Sequence, residues 1–308
     1  MTQQASVLYD APGPRARQRN VVYTVLFVAA VVAAAWWLLD QLAERNQLDA
    51  QNWTPLLEAG VWTDFFLPGL LNTLQAAFLS ILIALPVGVL LGIGRLSQHA
   101  WIRWPAAVWV EFFRATPVLI LMLFARELYR LTGVDTDILP LYAVVTGLVL
   151  YNASVLAEVV RAGIVSLPRG QSEAAEALGL RRSQVMTSVL LPQAITAMLP
   201  AIVSQLVVIV KDTALGGVVI RFEDVMAQFR PLPTSDYRPS VLATLTAIAV
   251  IFLVLNSILT TFANWLEKWL RQRKKGTGTV VTADLMEEQA PGVRLEDTEA
   301  GAAGKDKG

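Results

Sequence analysis

Ser166-Leu-Pro-Arg-Gly-Gln-Ser-Glu-Ala-Ala-Glu-Ala-Leu-Gly179 interrupts an otherwise apolar sequence, and the polar stretch runs on to Leu190-Leu-Pro-Gln-Ala194. Apolar segments long enough to span a bilayer lie on both sides of it. Polar groups are costly in hydrocarbon, so this insert projects into water, where it can meet a partner. Ser172 suits an N-cap, with Glu173 in the first turn against the positive helix end. The run Glu173-Ala-Ala-Glu-Ala-Leu178 has high helix propensity, and Gly179 suits the left-handed position that ends a helix. A second helix is expected from about Ser183. Val185, Val189 and Leu190 give it an apolar face, while Arg181, Arg182 and Gln184 crowd its start. Small side chains at Ala174, Ala175 and Ala177 allow close approach by another surface. Two readings of the insert stand: a solvated connector between spans, or a docking element.

Of 308 residues, 55% are hydrophobic and 16% charged, with a mean hydropathy of +0.50. Soluble domains carry roughly 25% charged residues, so the composition is that of a polytopic membrane protein in contact with lipid. A formal net charge of +0 offers no footprint for nucleic acid. The sequence has no cysteine, which excludes disulfides, thiolate metal sites and cysteine nucleophiles. His99 is the sole histidine, most simply a polar loop residue, so a histidine metal cluster or proton relay is excluded too. No metal, cofactor or catalytic set is expected. No Gly-rich phosphate loop ending in Gly-Lys-Ser/Thr occurs, so the chain has no evident means of hydrolysing ATP.

A helix needs about 20 mainly apolar residues to cross a bilayer. Six segments come close: 22–39, 70–93, 106–129, 140–160, 197–220 and 241–266. Glu111, Arg114 and Thr116-Pro117 interrupt the third, where Pro117 predicts a kink or a short separate helix. Arg15, Arg17 and Arg19, then Arg95 and Arg103, then Arg169, Arg181 and Arg182, then Lys268, Arg271, Arg273, Lys274 and Lys275 fall on one side of a six-span chain. Loops on the other side carry fewer basic residues, mixed with acids, so both termini are expected in the cytoplasm. Segment 1–21 reads as a basic cytoplasmic N-terminus and 40–68 as an extracytoplasmic loop. The first span resembles a secretory signal with Ala33-Ala-Ala35 as a cleavage site, but Trp36-Trp37 at the interface favour a retained helix. Segment 267–308 reads as a basic, then acidic, disordered cytoplasmic tail.

Glu173-Ala-Ala, Gly179 and Leu191-Pro192 resemble the EAA loop of type I ABC importer permeases. Leu71-Asn-Thr-Leu74 resembles the opening of that family's transmembrane domain, and Glu111-Phe-Phe-Arg-Ala-Thr-Pro117 the E-F-F-R-G-T-P motif of its polar amino-acid branch. Ala157-Glu-Val-Val-Arg-Ala-Gly163, Leu191-Pro-Gln-Ala194 and Lys211-Asp-Thr-Ala-Leu215 resemble A-E-x-x-R-G-G, L-P-Q-A and K-D-T-S-L, with Ala115, Ala162 and Ala214 departing from the pattern. The resemblance covers about 69–266, and within the branch the chain looks most like a glutamate permease. It implies an all-α, five-helix permease core plus one extra N-terminal transmembrane helix, in a bacterial inner membrane. It also implies a coupling helix that fits a cytoplasmic ABC ATPase dimer, a second permease subunit (identical or related) and an extracytoplasmic amino-acid-binding protein. Gly170, Gln171, Glu173, Ala174, Ala175, Ala177, Leu178, Gly179 and Arg182 are then the expected ATPase-coupling residues.

Ionisable groups inside spans are functional candidates by default. Lys211 and Asp212 either neutralise each other at a helix break or, with Thr213, line a translocation path where Lys211 attracts a carboxylate. Glu158 and Arg161, three apart on a helix, read first as a bridge or gate and second as substrate contacts. Glu111 and Arg114 have the same spacing and, with Thr116 and Pro117, are gate candidates. Tyr151, Asn152 and Ser154 serve either helix–helix hydrogen bonding or substrate contact. No acid sits at their depth to hold a cationic solute, which favours an acidic or neutral amino acid. Against the importer stand an ion-coupled carrier or channel, and a membrane-embedded enzyme that lacks a catalytic set.

Overall fold

The structure, a computed structural model, describes residues 13–275, without the side chains of 266, 267 and 269–275. Every regular element among the described residues is helical. α1 spans Pro14–Glu44, α2 Leu67–Arg95, α3 Ala100–Ala115, α4 Val118–Leu131, α5 Leu139–Val165, α6 Arg169–Ala177, α7 Leu191–Asp212, α8 Ala214–Val219 and α9 Val241–Lys275. π-Helical turns at Trp62–Phe66 and Val185–Leu190 lead into α2 and α7.

α5 is the central helix, packed on α2, α3, α4 and α7. Ala84 of α2 meets Ala153 and Leu156 of α5 in a tight seam. Lipid gives apolar helices no reason to associate, so close approach through small side chains supplies the attraction. Ala76, Met122, Val144, Leu148 and Ile209 join α2, α4, α5 and α7 in the main cluster. Phe66, Val225, Leu232 and Ile248 form a second cluster where α2 begins. α2 is about 43 Å long at 1.5 Å per residue, so this cluster and the α6 region, which meets the last turns of α2, lie at opposite ends of the molecule.

Among the described residues, five helical stretches are long and apolar enough to cross a membrane: Pro14–Glu44, Ala59–Arg95, Leu139–Val165, Arg182–Val219 and Val241–Trp265. α3 and α4 together give a sixth, but they meet at 104°, far sharper than a kink in one span. The residue before a proline is pushed out of the helical region. Thr116 accordingly has φ −86 and ψ 128, and its Oγ1 donates to the Phe112 carbonyl at 2.9 Å, closing α3.

α1 buries none of its residues, and Trp36 and Trp37 remain 76% and 64% exposed. α9 continues to Lys275, so the basic segment 267–275, read from sequence as the start of a disordered tail, is helical. The tail beyond it, and residues 1–12, lie outside the described residues.

Candidate functional site

α6 stands at the end of the molecule where α2 finishes. It starts at Arg169 with Pro168 as its N-cap, four residues before the N-cap expected at Ser172. The signal was Pro168, whose fixed φ suits a helix start. Ser172 Oγ instead donates to the Arg169 carbonyl at 2.8 Å, and Glu173 lies beyond the first turn. The far end follows the sequence reading. Gly179 has φ +81, its N–H donates to Glu176 O at 2.9 Å, and Leu180 N–H donates to Ala175 O at 3.2 Å. This is the paired bonding of a Schellman cap.

Glu173, Ala174, Ala177 and Leu178 face outward, and Leu178 is 84% exposed. Gly170 and Gln171 are exposed at the start of α6. Ala175 corrects the expected contact set, because it is buried against its own chain. Arg182 Nε donates to Glu176 Oε1 at 3.2 Å, and Gln193 Nε2 to Gln171 Oε1 at 3.4 Å. These bonds tie α6 to the turn behind it and to α7. A groove of about 700 Å³ separates α6 from the end of α2, lined by Leu90, Ile93, His99, Ser172, Glu176 and Met186.

An ion cluster sits close by, at the last turns of α2 and α5. Glu158 accepts from Arg95 at 2.6 Å and from Arg161 at 2.6 Å, with Arg114 at 3.8 Å. Arg95 also donates to Glu111 at 3.1 Å. Glu158 and Arg161 thus pair as their spacing predicts. Glu111 and Arg114 do not pair with each other, despite the same spacing. The 104° bend at Thr116-Pro117 delivers the end of α3 to α2 and α5, and each of the two finds a partner there. Sequence reading missed Arg95 as a member and took it only as an orienting charge. Its partners lie 16 and 63 residues away, beyond any local spacing rule.

Between the two ends, Asn152 is fully buried. Its Nδ2 donates to Leu148 O at 2.8 Å, and its Oδ1 accepts from Gln205 Nε2 of α7 at 2.6 Å. Ser154 is buried and bonded to Leu150 O. Lys211 and Asp212 form no ion pair with each other; Lys211 is exposed beside a groove on α9. Thr213, buried and bonded to Val210 O, marks the break between α7 and α8. No group of three or more potential metal ligands occurs among the described residues.

The described residues thus combine a buried, hydrogen-bonded polar middle, an ion cluster at one end and an exposed helix beyond it. The family model for the binding-protein-dependent transport system inner membrane component matches residues 84–272. The chain belongs to that family. This inner-membrane permease is therefore a transport component and not an enzyme, with ATP hydrolysis expected on another subunit. It is 46% identical over 231 residues to the glutamate transport system permease protein GluD of Corynebacterium glutamicum, covering 75% of this chain and 84% of that one. It is 35% identical over 208 residues to the arginine transport system permease protein ArtQ of Bacillus subtilis, covering 67% and 93%. Among solved structures, an amino acid ABC transporter matches with TM-score 0.60 and 29% identity, over 67% of the permease and 94% of that chain. The all-helical fold of the permease is that of ABC importer permeases, and α1 lies outside the matched family segment.

Proposed function

We propose that the permease is the membrane subunit of an ATP-driven importer of a polar amino acid, with glutamate the first candidate. It works with a second permease subunit, a cytoplasmic ATPase dimer and an extracytoplasmic binding protein. The observation that carries this reading is α6: a short helix, closed by Gly179 at positive φ, presenting Glu173, Ala174, Ala177 and Leu178 to solvent. A connector has no need to expose Leu178; a helix that fits a cleft on a partner does. The 46% likeness to a glutamate permease supports the substrate, and the arginine permease at 35% marks how far substrate varies within the family.

In this reading the ATPase moves α6, which Arg182–Glu176 and Gln171–Gln193 make stiff with the base of α7. α7 carries Gln205, the partner of Asn152, and ends at Lys211, Asp212 and Thr213 beside the path. The cluster of Arg95, Glu111, Arg114, Glu158 and Arg161 is the gate on the ATPase side. A closed gate needs contacts that can be exchanged, and half-exposed ion pairs of modest strength meet that need. The binding protein and ATP shift the equilibrium between the two faces through their different affinities for each state.

The test is uptake of glutamate and other amino acids into vesicles holding the permease, its ATPase and its binding protein. ATP-dependent uptake is expected. Equal uptake with and without ATP points to a carrier or channel and overturns the reading.

A further inference from the structure

The loop joining α8 to α9 carries an acid that transport, as outlined above, does not use. Asp224 is fully buried. Its Oδ1 accepts from the Ala227 N–H at 2.9 Å, while Oδ2 has no hydrogen-bond partner. The loop around it is stitched to the start of α2. Asn72 Nδ2 donates to Glu223 O at 2.8 Å, and Val225 N–H donates to Thr73 Oγ1 at 3.3 Å. On the other side stands Gly217 of α8. A Cβ there would lie 1.9 Å from Asp224 Oδ1, so only glycine leaves room for the carboxyl.

Among the described residues no cation pairs with the buried carboxyl, and only backbone N–H groups of its own loop, at Ala227, Asp224 and Met226, favour the charged form. α2 contributes Gly69, Asn72 and Thr73, and α8 contributes Gly217, none of them charged. α9 brings Ile248 against the neighbouring Val225. The charged groups Asp64, Arg221, Glu223 and Arg230 line the cleft next to it, and none of them forms an ion pair with Asp224. Asp64 accepts from Tyr237 Oη at 3.1 Å, and Arg230 lies over the Phe229 ring at 5.0 Å. A lone buried carboxylate with a bare oxygen is far costlier than a lone buried carboxylic acid.

We propose that Asp224 is the positioning residue that seats loop 221–232 between α2 and α8, and that it does so as the neutral acid. Proton concentration on that face then sets how firmly the loop is held. The loop is directly tethered to α8, which follows Lys211–Asp212, so its seating bears on the conduit. The inference does not depend on which solute is carried.

Burial pushes the seated Asp224 carboxyl up to about 7 from 3.8. A released loop returns it to water and the lower value. Between those two values the seated form holds one proton more, so seating weakens as pH rises, about tenfold per pH unit. Above about 7 both forms are ionised and the loss levels off.

Hydrogen exchange on the full chain in lipid nanodiscs, corrected for the intrinsic rate at each pH, reads this from peptides covering 221–232. From about pH 5 to about pH 7 the opening constant of the wild type should rise about 50-fold, then by only about twofold more to about pH 8. Asp224→Asn keeps the shape without the charge and should show no slope. Gly217→Ala occupies the carboxyl's space and should leave the loop open throughout. A flat wild-type profile overturns the proposal, as does an equal slope in Asp224→Asn. If that variant does not fold, the wild-type profile decides: a break near pH 7 supports the proposal, and a profile with no break overturns it.

Discussion

Glu158 is shared by three guanidinium groups, and that sharing sets what its loss should do. Its side chain is 27% exposed and that of Arg95 14%, so water screens the pair only in part. A double-mutant cycle with Arg95→Gln and Glu158→Gln, read by thermal unfolding of the purified chain, should give a coupling of about 1 kcal/mol. A coupling near zero would mean the 2.6 Å contact carries no stability. Asn152 and Gln205 ask a different question. Gln205→Leu leaves the Asn152 Oδ1 buried and bare, at a cost of about 1–3 kcal/mol. Replacing both by Leu should recover most of that. If stability returns but uptake does not, the pair touches the solute; if both return, it only joins α5 to α7. Residue types at these places were legible in the sequence, because polar groups in apolar runs stand out. Their partners were not, since Arg95 reaches Glu158 and Asn152 reaches Gln205 across helix pairs that no spacing within one helix specifies.

At the scale of elements, α6 and the α3–α4 corner decide the behaviour. Gly179 sits at φ +81, where proline is forbidden and other residues are strained. Gly179→Pro should therefore tilt or unwind the end of α6, and Glu173→Lys should reverse the charge of its outward face. In both variants we expect normal insertion and at least a tenfold fall in ATP-driven uptake, about 1.4 kcal/mol in transport terms. Normal uptake in both would make α6 a mere connector. The existence of this helix and its glycine stop could be read from composition and pattern. Its start could not be fixed from Ser172, because Pro168 offers a competing N-cap four residues earlier and wins. The sequence marks the corner at Thr116-Pro117 as a kink or a short separate helix, and the second of these is what forms. The size of the corner depends on α3 turning to meet α2 and α5, which is a tertiary choice.

The whole molecule is a packed core, α2 to α9, with one helix apart from it. α1 buries no residue, so it adds nothing to the packing of the core. Deleting residues 1–45 should leave the unfolding temperature of the purified chain within about 2 °C of the full-length value, well under the shift that about 1 kcal/mol would cause. A larger drop would place α1 in the core after all. The hydrophobic runs are legible as helices because length and apolarity alone define them, whereas their division into a permease core and one extra helix rests on the family resemblance of the motifs between 69 and 266. The buried Asp224 escaped that reading, since an acid in a loop between Glu223 and Val225 carries no periodic mark.

The sharp corner between α3 and α4 has one more result. α3 exposes Trp101, Trp104, Trp109 and Phe112 along its length, and tryptophan is the side chain enriched at the level of lipid headgroups. Glu111 and Arg114, carried at the end of α3, reach Arg95 of α2 and Glu158 of α5, so a tilt of α3 against those two helices would lengthen both contacts at once. A corner of 104° thus makes α3 a lever on the ion cluster and not the continuation of a straight span.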